Sequence, residues 1–352
     1  MATRDADTPA CSVSAEDTAG FAKPGLWLPS RRTLLKALAC LPSFPAIAAA
    51  EADEWPSRPV RVLVGFAPGG NIDNLARLTC QRLSDAFKQQ FIIENRPGAT
   101  GSIASEAVAH STPDGYTFLW SGTGNISILP AMSKLPYNTV KDFEPISVIG
   151  TSPQILIVNP DFPAKTLAEF IAYVKTQPGK LSYAGGGGPG SVGNLLMSLF
   201  LKRAGLKMVD VSYRGTAPAL VDLIAGHIPA MFSPLPEALP QARAGKVRML
   251  AVSSEKRSAQ VPEVPTIAES GFPGYRGESW NAMFAPTGTS KAIVNKIAAQ
   301  FVSAVKDPAF VKRLDTYGAE PLGLTPEQFT KFLEQERALW SEAVEAAGLK
   351  PT

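Results

Sequence analysis

The chain has 352 residues, a formal net charge of +3 and 45% hydrophobic residues, whereas only 18% of its residues are charged. At roughly 100–200 residues per domain, this length predicts two domains and is ample for a buried core. A near-neutral chain without a run of like charges argues against a nucleic-acid partner, which requires a concentrated basic face. The 29 glycines and 31 prolines are many for a chain with so little charge, and they require an explanation.

The first 50 residues are interpreted as an export signal. Residues 30–36 (Ser-Arg-Arg-Thr-Leu-Leu-Lys) are similar to a twin-arginine motif, and the apolar stretch 37–50 is shorter than the roughly 20 residues that span a bilayer. A membrane anchor or a lipidated Cys40 fits this segment less well. The export signal predicts a periplasmic location. Cleavage near Ala50 would leave Cys80 as the single cysteine, so we expect no internal disulfide.

After residue 55, short apolar runs alternate with stretches of helical periodicity, which predicts the α/β class. The predicted strands are 59–64, 91–93, 116–120, 155–158, 181–184, 208–212 and 247–252. The predicted helices include 72–87, 102–109, 192–204 and 217–225. Two further helices are expected to begin with capping boxes, one at Thr166 with Glu169 and one at Thr325 with Gln328.

One unit, a strand followed by a glycine-rich loop and a helix, occurs twice, at 60–88 and at 181–204. A helix N-terminus carries unpaired N–H groups and a partial positive charge, and glycines allow a ligand to approach the backbone closely. Two such helix starts facing each other across a cleft would suit a molecule with two carboxylates, without a buried Arg or Lys. The alternative is that the glycines only make tight turns between strand and helix.

Other chemistries find less support in the sequence. Residues 188–193 fit Gly-x-Gly-x-x-Gly and Asp210 follows at a ribose-binding distance, which keeps an exported NAD(P)-binding oxidoreductase as an alternative. Pro189 inside the turn and the position of Asp210 within a strand argue against it. There is no Gly-x-Ser-x-Gly or His-Glu-x-x-His motif, so neither a catalytic residue, a metal nor another cofactor is expected. His110 and His227 are expected to be exposed turn residues.

Several motifs occur in order along the rest of the chain: Gly65–Gly70 with Asp73, Glu94–Ala99, Pro113–Thr117, Tyr213–Gly215, Pro262–Thr266 and Gly271–Tyr275. With these motifs the chain, from Trp55 onward, resembles the Bug-type periplasmic solute-binding receptors of tripartite tricarboxylate transporters. The resemblance implies a two-lobed, type II-like periplasmic-binding-protein fold with the ligand cleft between the lobes. Lobe one would comprise 51–154 and 280–352, and lobe two 155–279. The hinge would be the strands Ile155–Val158 and Trp280–Ala285.

The resemblance also implies a function. Such a receptor is not an enzyme: it captures a small organic anion, here expected to be a carboxylate, by lobe closure and delivers it to the membrane permease subunits of the transporter. We expect this chain to act as a monomer. A ligand-sensing receptor that serves a signalling partner is the alternative within the same fold.

The resemblance places the ligand against loops and strand ends of both lobes. The implied ligand-binding residues are Phe66, Ala67, Gly69, Gly70, Asp73, Ser121, Thr123, Asn125, Gly187, Gly190, Ser191, Asn194 and Ser233. Asn194 and Ser233 stand where the family commonly has His and Asp, so neutral hydrogen-bonding groups replace ionisable ones. Phe66, Tyr213 and Trp280 either line an apolar wall of the cleft or are ordinary core aromatics.

Overall fold

The computed structural model describes residues 55–349, and the predicted export signal lies outside them. Strands β1 to β10 are Val60–Val64, Phe91–Asn95, Thr117–Gly122, Phe143–Val158, Ser182–Ala184, Val209–Val211, Ala230–Pro234, Arg248–Val252, Glu278–Pro286 and Glu320–Pro321. Helices α1 to α10 are Asn71–Phe87, Ser102–Ala109, Leu129–Met132, Leu167–Lys175, Val192–Ala204, Thr216–Ile224, Leu235–Arg243, Lys291–Ala304, Pro308–Thr316 and Pro326–Ala346. The predicted α/β class is confirmed.

The strands form one continuous mixed arrangement in the order β2-β1-β3-β9-β4-β7-β5-β6, with β8 and β10 also pairing with β4. Strand β1 is parallel to β2 and β3, and β5 is parallel to β6 and β7. The central pairs β3–β9, β9–β4 and β4–β7 are antiparallel. Two parallel groups are therefore joined through the antiparallel strands β9 and β4.

Strand β4 is 16 residues long and changes its partner along its length. Its first part, Phe143–Pro153, pairs with β9, whereas Gln154–Val158 pairs with β7 and Ile155–Val158 also pairs with β8. The strand predicted at 155–158 is thus only the end of a longer strand. The change of partner lies beside the lobe boundary expected after residue 154, and the lobe limits and the hinge themselves stay predictions.

Helix α10 packs against both parallel groups. Near its start, Phe329 and Leu333 join a buried cluster that contains β9 residues, whereas Trp340 joins the cluster around Phe200 of α5. An ion pair between Arg203 and Glu342, with an N–O distance of 2.9 Å, adds to this second contact. The long terminal helix therefore connects the parts of the sheet on either side of β4.

The two predicted capping boxes have different outcomes. Thr325 and Gln328 form the complete reciprocal capping box that was predicted for α10. Thr166 accepts the N–H of Glu169, but the Glu169 carboxylate accepts the N–H of Lys165 instead of returning to Thr166. The predicted box at α4 is thus only half formed, because the acidic side chain reaches one residue further back.

The carboxylate of Glu336 is buried between α10 and β9, with only 1% of the residue exposed. It accepts hydrogen bonds from Arg276 Nη1 at 2.9 Å, Trp280 Nε1 at 2.9 Å and Trp340 Nε1 at 2.8 Å. Burial raises the pKa of Glu336, and these three donors oppose the increase. The carboxylate thereby ties β9 and the segment before it to the terminal helix.

Replacing Glu336 by Ala should lower the free energy of unfolding by about 3 kcal/mol, because a partly buried guanidinium and two buried indole N–H groups lose their acceptor. Urea unfolding of the Glu336→Ala variant measures the loss. Glu334→Ala, at an exposed position of the same helix, is the matched control and should change stability by no more than about 0.5 kcal/mol. Equal losses in the two variants would contradict the role given to this carboxylate.

Candidate ligand-binding site

A cavity of about 750 Å³ lies at the carboxyl ends of β1, β3, β5 and β7. Its lining includes Phe66 after β1, Gly122–Asn125 after β3, Gly187–Val192 except Gly188 after β5, and Pro234, Pro236 and Glu237 after β7. Ligands of open α/β sheets bind outside the carboxyl ends of the strands. The volume is in the range of small-molecule sites.

The first glycine-rich loop is held in place by Asp73, which is in the first turn of α1 and almost completely buried. Its carboxylate accepts the Gly69 N–H at 2.9 Å, Arg77 Nε at 2.8 Å and Asn95 Nδ2 at 2.8 Å. Asn95 also donates to the carbonyl of Phe66 at 3.0 Å. Burial by itself would raise the pKa of Asp73, but the three donors outweigh it and hold the pKa below its usual value.

The second glycine-rich loop is held by Ser191 and Asn194 at the start of α5. The Ser191 hydroxyl donates to the carbonyl of Gly185 at 2.9 Å and accepts the N–H of Asn194 at 3.3 Å. The Asn194 side chain accepts the N–H of Gly190 at 3.2 Å and donates to Asp210 at 2.8 Å. Polar side chains therefore fix this loop from within, as Asp73 fixes the first.

The starts of α1 and α5 both line the cavity, through Asn71 and Ile72 on one side and Ser191 and Val192 on the other. The lining that the described residues form contains no Lys, Arg or His. Unpaired N–H groups and the helix dipoles are therefore the positive features that this lining offers to an anion. Each helix start contributes roughly 0.3–1 kcal/mol, and up to about 2 kcal/mol where it is partly buried.

The floor of the cavity includes polar side chains of the two long strands. Ser152 and Gln154 lie two residues apart on β4, and Ser279 and Asn281 lie two residues apart on β9, so each pair shares one face of its strand. The Ser152 hydroxyl and the Asn281 Oδ1 are buried without a hydrogen-bond partner among residues 55–349. Buried polar groups normally have partners, so these two require a polar group of a ligand or a water.

The structure brings together part of the predicted residue set. The predicted residues in the cavity lining are Phe66, Thr123, Asn125, Gly187, Gly190 and Ser191. Those outside the lining are Ala67, Gly69, Gly70, Asp73, Ser121, Asn194 and Ser233. The Ser121 hydroxyl donates to Asn125 Oδ1 at 2.5 Å, and the Ser233 hydroxyl donates to the carbonyl of Pro234 at 3.2 Å. Ligand contact by any of these residues stays a prediction.

The sequence did not indicate the floor residues Ser152, Gln154 and Asn281 or the acidic residue Glu237. A signal for the floor existed, because Ser152 and Gln154 precede the apolar run of β4 and Asn281 interrupts that of β9. Polar residues within an otherwise apolar strand require partners, and a cavity can supply them. Nothing in the sequence around Glu237 indicated that it would line the same cavity.

The three aromatic candidates differ in their surroundings. Phe66 lines the cavity. Tyr213 is outside the lining and donates to Asp222 at 2.7 Å, and desolvation together with this carboxylate raises the pKa of Tyr213 to about 12. Trp280 is part of the lining, but its ring is a core aromatic, 5.9 Å from the ring of Phe329.

Other candidate groups are placed as follows. His110 and His227 are exposed, as predicted. Cys80 is buried and unpaired, and burial raises the pKa of its thiol.

Within residues 55–349, no group of three or more His, Cys, Asp or Glu side chains is placed to hold a metal ion. In the same range, no helix has the length and apolar character needed to cross a membrane.

Comparison with known proteins identifies the class. Residues 75–349 match the model of the tripartite tricarboxylate transporter family receptor. Protein BugT of Bordetella pertussis is 35% identical over 304 residues, which are 85% of this chain and 92% of BugT. An adipate-bound structure from R. palustris has a TM-score of 0.71 at 36% identity, covering 85% of this chain and all (100%) of the other. MatC from Rhodopseudomonas palustris with bound malate has a TM-score of 0.66 at 34% identity, covering 82% and 100% of the two chains.

The fold is therefore that of a two-lobed periplasmic binding protein, and proteins of this class bind solutes and are not enzymes. The chain belongs to the tripartite tricarboxylate transporter receptor family, which includes the Bug proteins. The resemblance seen in the sequence and the expected two-lobed fold are confirmed. The alternative of a dinucleotide-binding enzyme is set aside by the family, and the acid on which it relied, Asp210, accepts a hydrogen bond from Asn194.

Replacing Asp73 by Asn should lower the free energy of unfolding near neutral pH by about 1–3 kcal/mol, because charge-assisted hydrogen bonds are lost. The folded-state pKa of Asp73 lies below its unfolded value. Its contribution is therefore fully present above about pH 4 and is lost as the pH falls through the folded-state pKa. Urea unfolding across this range should show that the wild type and Asp73→Asn converge at low pH. A difference that does not depend on pH would contradict this assignment.

Proposed function

We propose that this protein is a periplasmic receptor that captures a small organic acid, as its carboxylate, between its two lobes and delivers it to the membrane components of a tripartite tricarboxylate transporter. The observation that carries the proposal is that the starts of α1 and α5 line one cavity whose lining, among the described residues, holds no basic side chain. The adipate and malate in the two related structures support the substrate class.

The arrangement accounts for both affinity and closure. The first helix start follows β1 and the second follows β5, so an anion that contacts both would draw together two parallel groups of strands. The expected hinge strands, 155–158 and 280–285, are parts of β4 and β9, which join these groups. The free energy of binding the anion would in this way stabilise the closed arrangement over the open one.

Calorimetric titration with butyrate, succinate, malate and adipate tests the proposal. We expect at least one of these carboxylates to bind and to raise the thermal midpoint, since a ligand at about 100 times its Kd stabilises the folded state by about 2.7 kcal/mol. Binding of neutral or cationic solutes alone would contradict the proposal.

A larger side chain at Gly124 should block the cavity without straining the fold. Gly124 lines the cavity, and a Cβ built on it would meet no atom within 4 Å. The Gly124→Leu variant should lose at least roughly tenfold in affinity, about 1.4 kcal/mol, for whichever carboxylate the wild type binds. Gly124→Ala is the matched control, and it should retain most of the affinity because a methyl group occupies little of the cavity.

Thermal unfolding of both variants accompanies the titration, to show that the variants are folded. Undiminished affinity in a folded Gly124→Leu protein would mean that the ligand binds elsewhere.

A further inference from the structure

A third helix start, that of α7, lines the cavity and differs from the other two. Pro234 precedes this helix, and Pro236 in its first turn has no N–H group to offer an anion. Glu237, an acidic residue in the same turn, is part of the cavity lining. The partial positive charge of this helix start therefore already faces an acidic side chain of the protein itself.

Among residues 55–349, the cavity lining contains one acidic residue, Glu237, and no Lys, Arg or His. By contrast, Asp73 in the first turn of α1 is outside the lining and is paired with Arg77, and α5 has no acidic residue in its first turn. Of these three helix starts, two can thus take an anion and the third presents an acceptor.

In the described part of the chain, no basic side chain forms an ion pair with Glu237. Burial raises the pKa of Glu237, and the hydroxyl of Thr216 opposes this increase. The preceding residue, Pro236, packs so closely against Gly318 that a Cβ on this glycine would overlap the proline ring. The neighbouring Tyr317 also lines the cavity. Glu237 is an exposed residue, so its carboxyl group stays accessible to a ligand in the cavity, which could supply a positive or hydrogen-donating partner beyond Thr216 and water.

The polar residues in the cavity floor, beside the start of α7, independently indicate a ligand. Strand β7 leads into α7, and its Pro234 pairs with Gln154 of β4, two residues from Ser152. Ser152 and Asn281 are only 5% and 4% exposed, and their Oγ and Oδ1 atoms are two of the five buried side-chain polar atoms that lack a partner among the described residues. Polar atoms at such depth normally have hydrogen bonds, so this floor is suited to a ligand that is polar beyond its carboxylate.

We infer that the ligand is a carboxylate whose far part carries a hydrogen-bond donor, an ammonium or a hydroxyl group, that Glu237 accepts, and that Glu237 selects against a second carboxylate. An ionised carboxylate can only accept hydrogen bonds. A dicarboxylate would add a second negative charge to a cavity that already contains one and has no basic side chain. This inference rests on the proposed function and narrows its substrate class.

The test compares three kinds of probe at matched chain lengths of about three to six carbons: ω-amino acids, ω-hydroxy acids and unsubstituted dicarboxylates. Calorimetric titration is made at about pH 8, well above the ordinary pKa of a glutamate. In the wild type, an amino or hydroxy acid should bind roughly tenfold more tightly than the dicarboxylate of the same length. In Glu237→Gln, which keeps the shape and removes the charge, this ratio should fall towards one through a gain in dicarboxylate affinity.

Glu263→Gln, at an exposed position outside the lining, removes the same charge from the protein and should keep the wild-type ratio. Two results overturn the inference and leave the proposed function intact: dicarboxylates that bind the wild type as tightly as the donor-bearing acids, or a ratio that Glu237→Gln does not change. Failure of every carboxylate to bind, in the wild type and in both variants, would instead overturn the proposed function.

Discussion

The structure depends on one change of hydrogen-bond partner, where β4 leaves β9 at Pro153 and joins β7 at Gln154. This change joins two parallel groups of strands edge to edge, so that the loops after β1 and β3 meet those after β5 and β7 at one cavity. It also places polar residues of β4 and β9 in the cavity floor. Helix α10, tied to β9 through Glu336, stabilises the same junction from outside.

The composition is explained by how the cavity is built. Charged and amide side chains such as Asp73 and Asn194 hold the glycine-rich loops from within, whereas backbone N–H groups at helix starts are left for the ligand. A site of this kind needs glycines and prolines at turns and helix ends but few charges. Glu237 is the exception in the lining. Its acidic side chain distinguishes the part of the cavity at the start of α7 from the parts at the starts of α1 and α5.

Local signals predicted much of the fold. The helices Ser102–Ala109 and Val192–Ala204 have the predicted bounds, because their periodicity ends at clear stops, such as the left-handed Gly205. Most of β4 was missed, since Pro145, Gly150 and Pro153 interrupt its apolar pattern and its pairing with β9 joins segments far apart in the chain. For the site, sequence motifs indicated the two loops but not whether a polar side chain in them faces the ligand or the loop itself. Asp73 and Asn194 show why: their partners, Asn95 and Asp210, come from strands that only the folded chain brings near.

The central claim is that backbone groups at two helix starts, and not basic side chains, bind the carboxylate. A crystal structure of the protein with a bound carboxylate tests it most directly. The account predicts carboxylate oxygens at about 2.7–3.2 Å from backbone N–H groups at the starts of α1 and α5, directly or through a bridging water. A carboxylate held by an arginine or lysine side chain, or bound away from both helix starts, would contradict it.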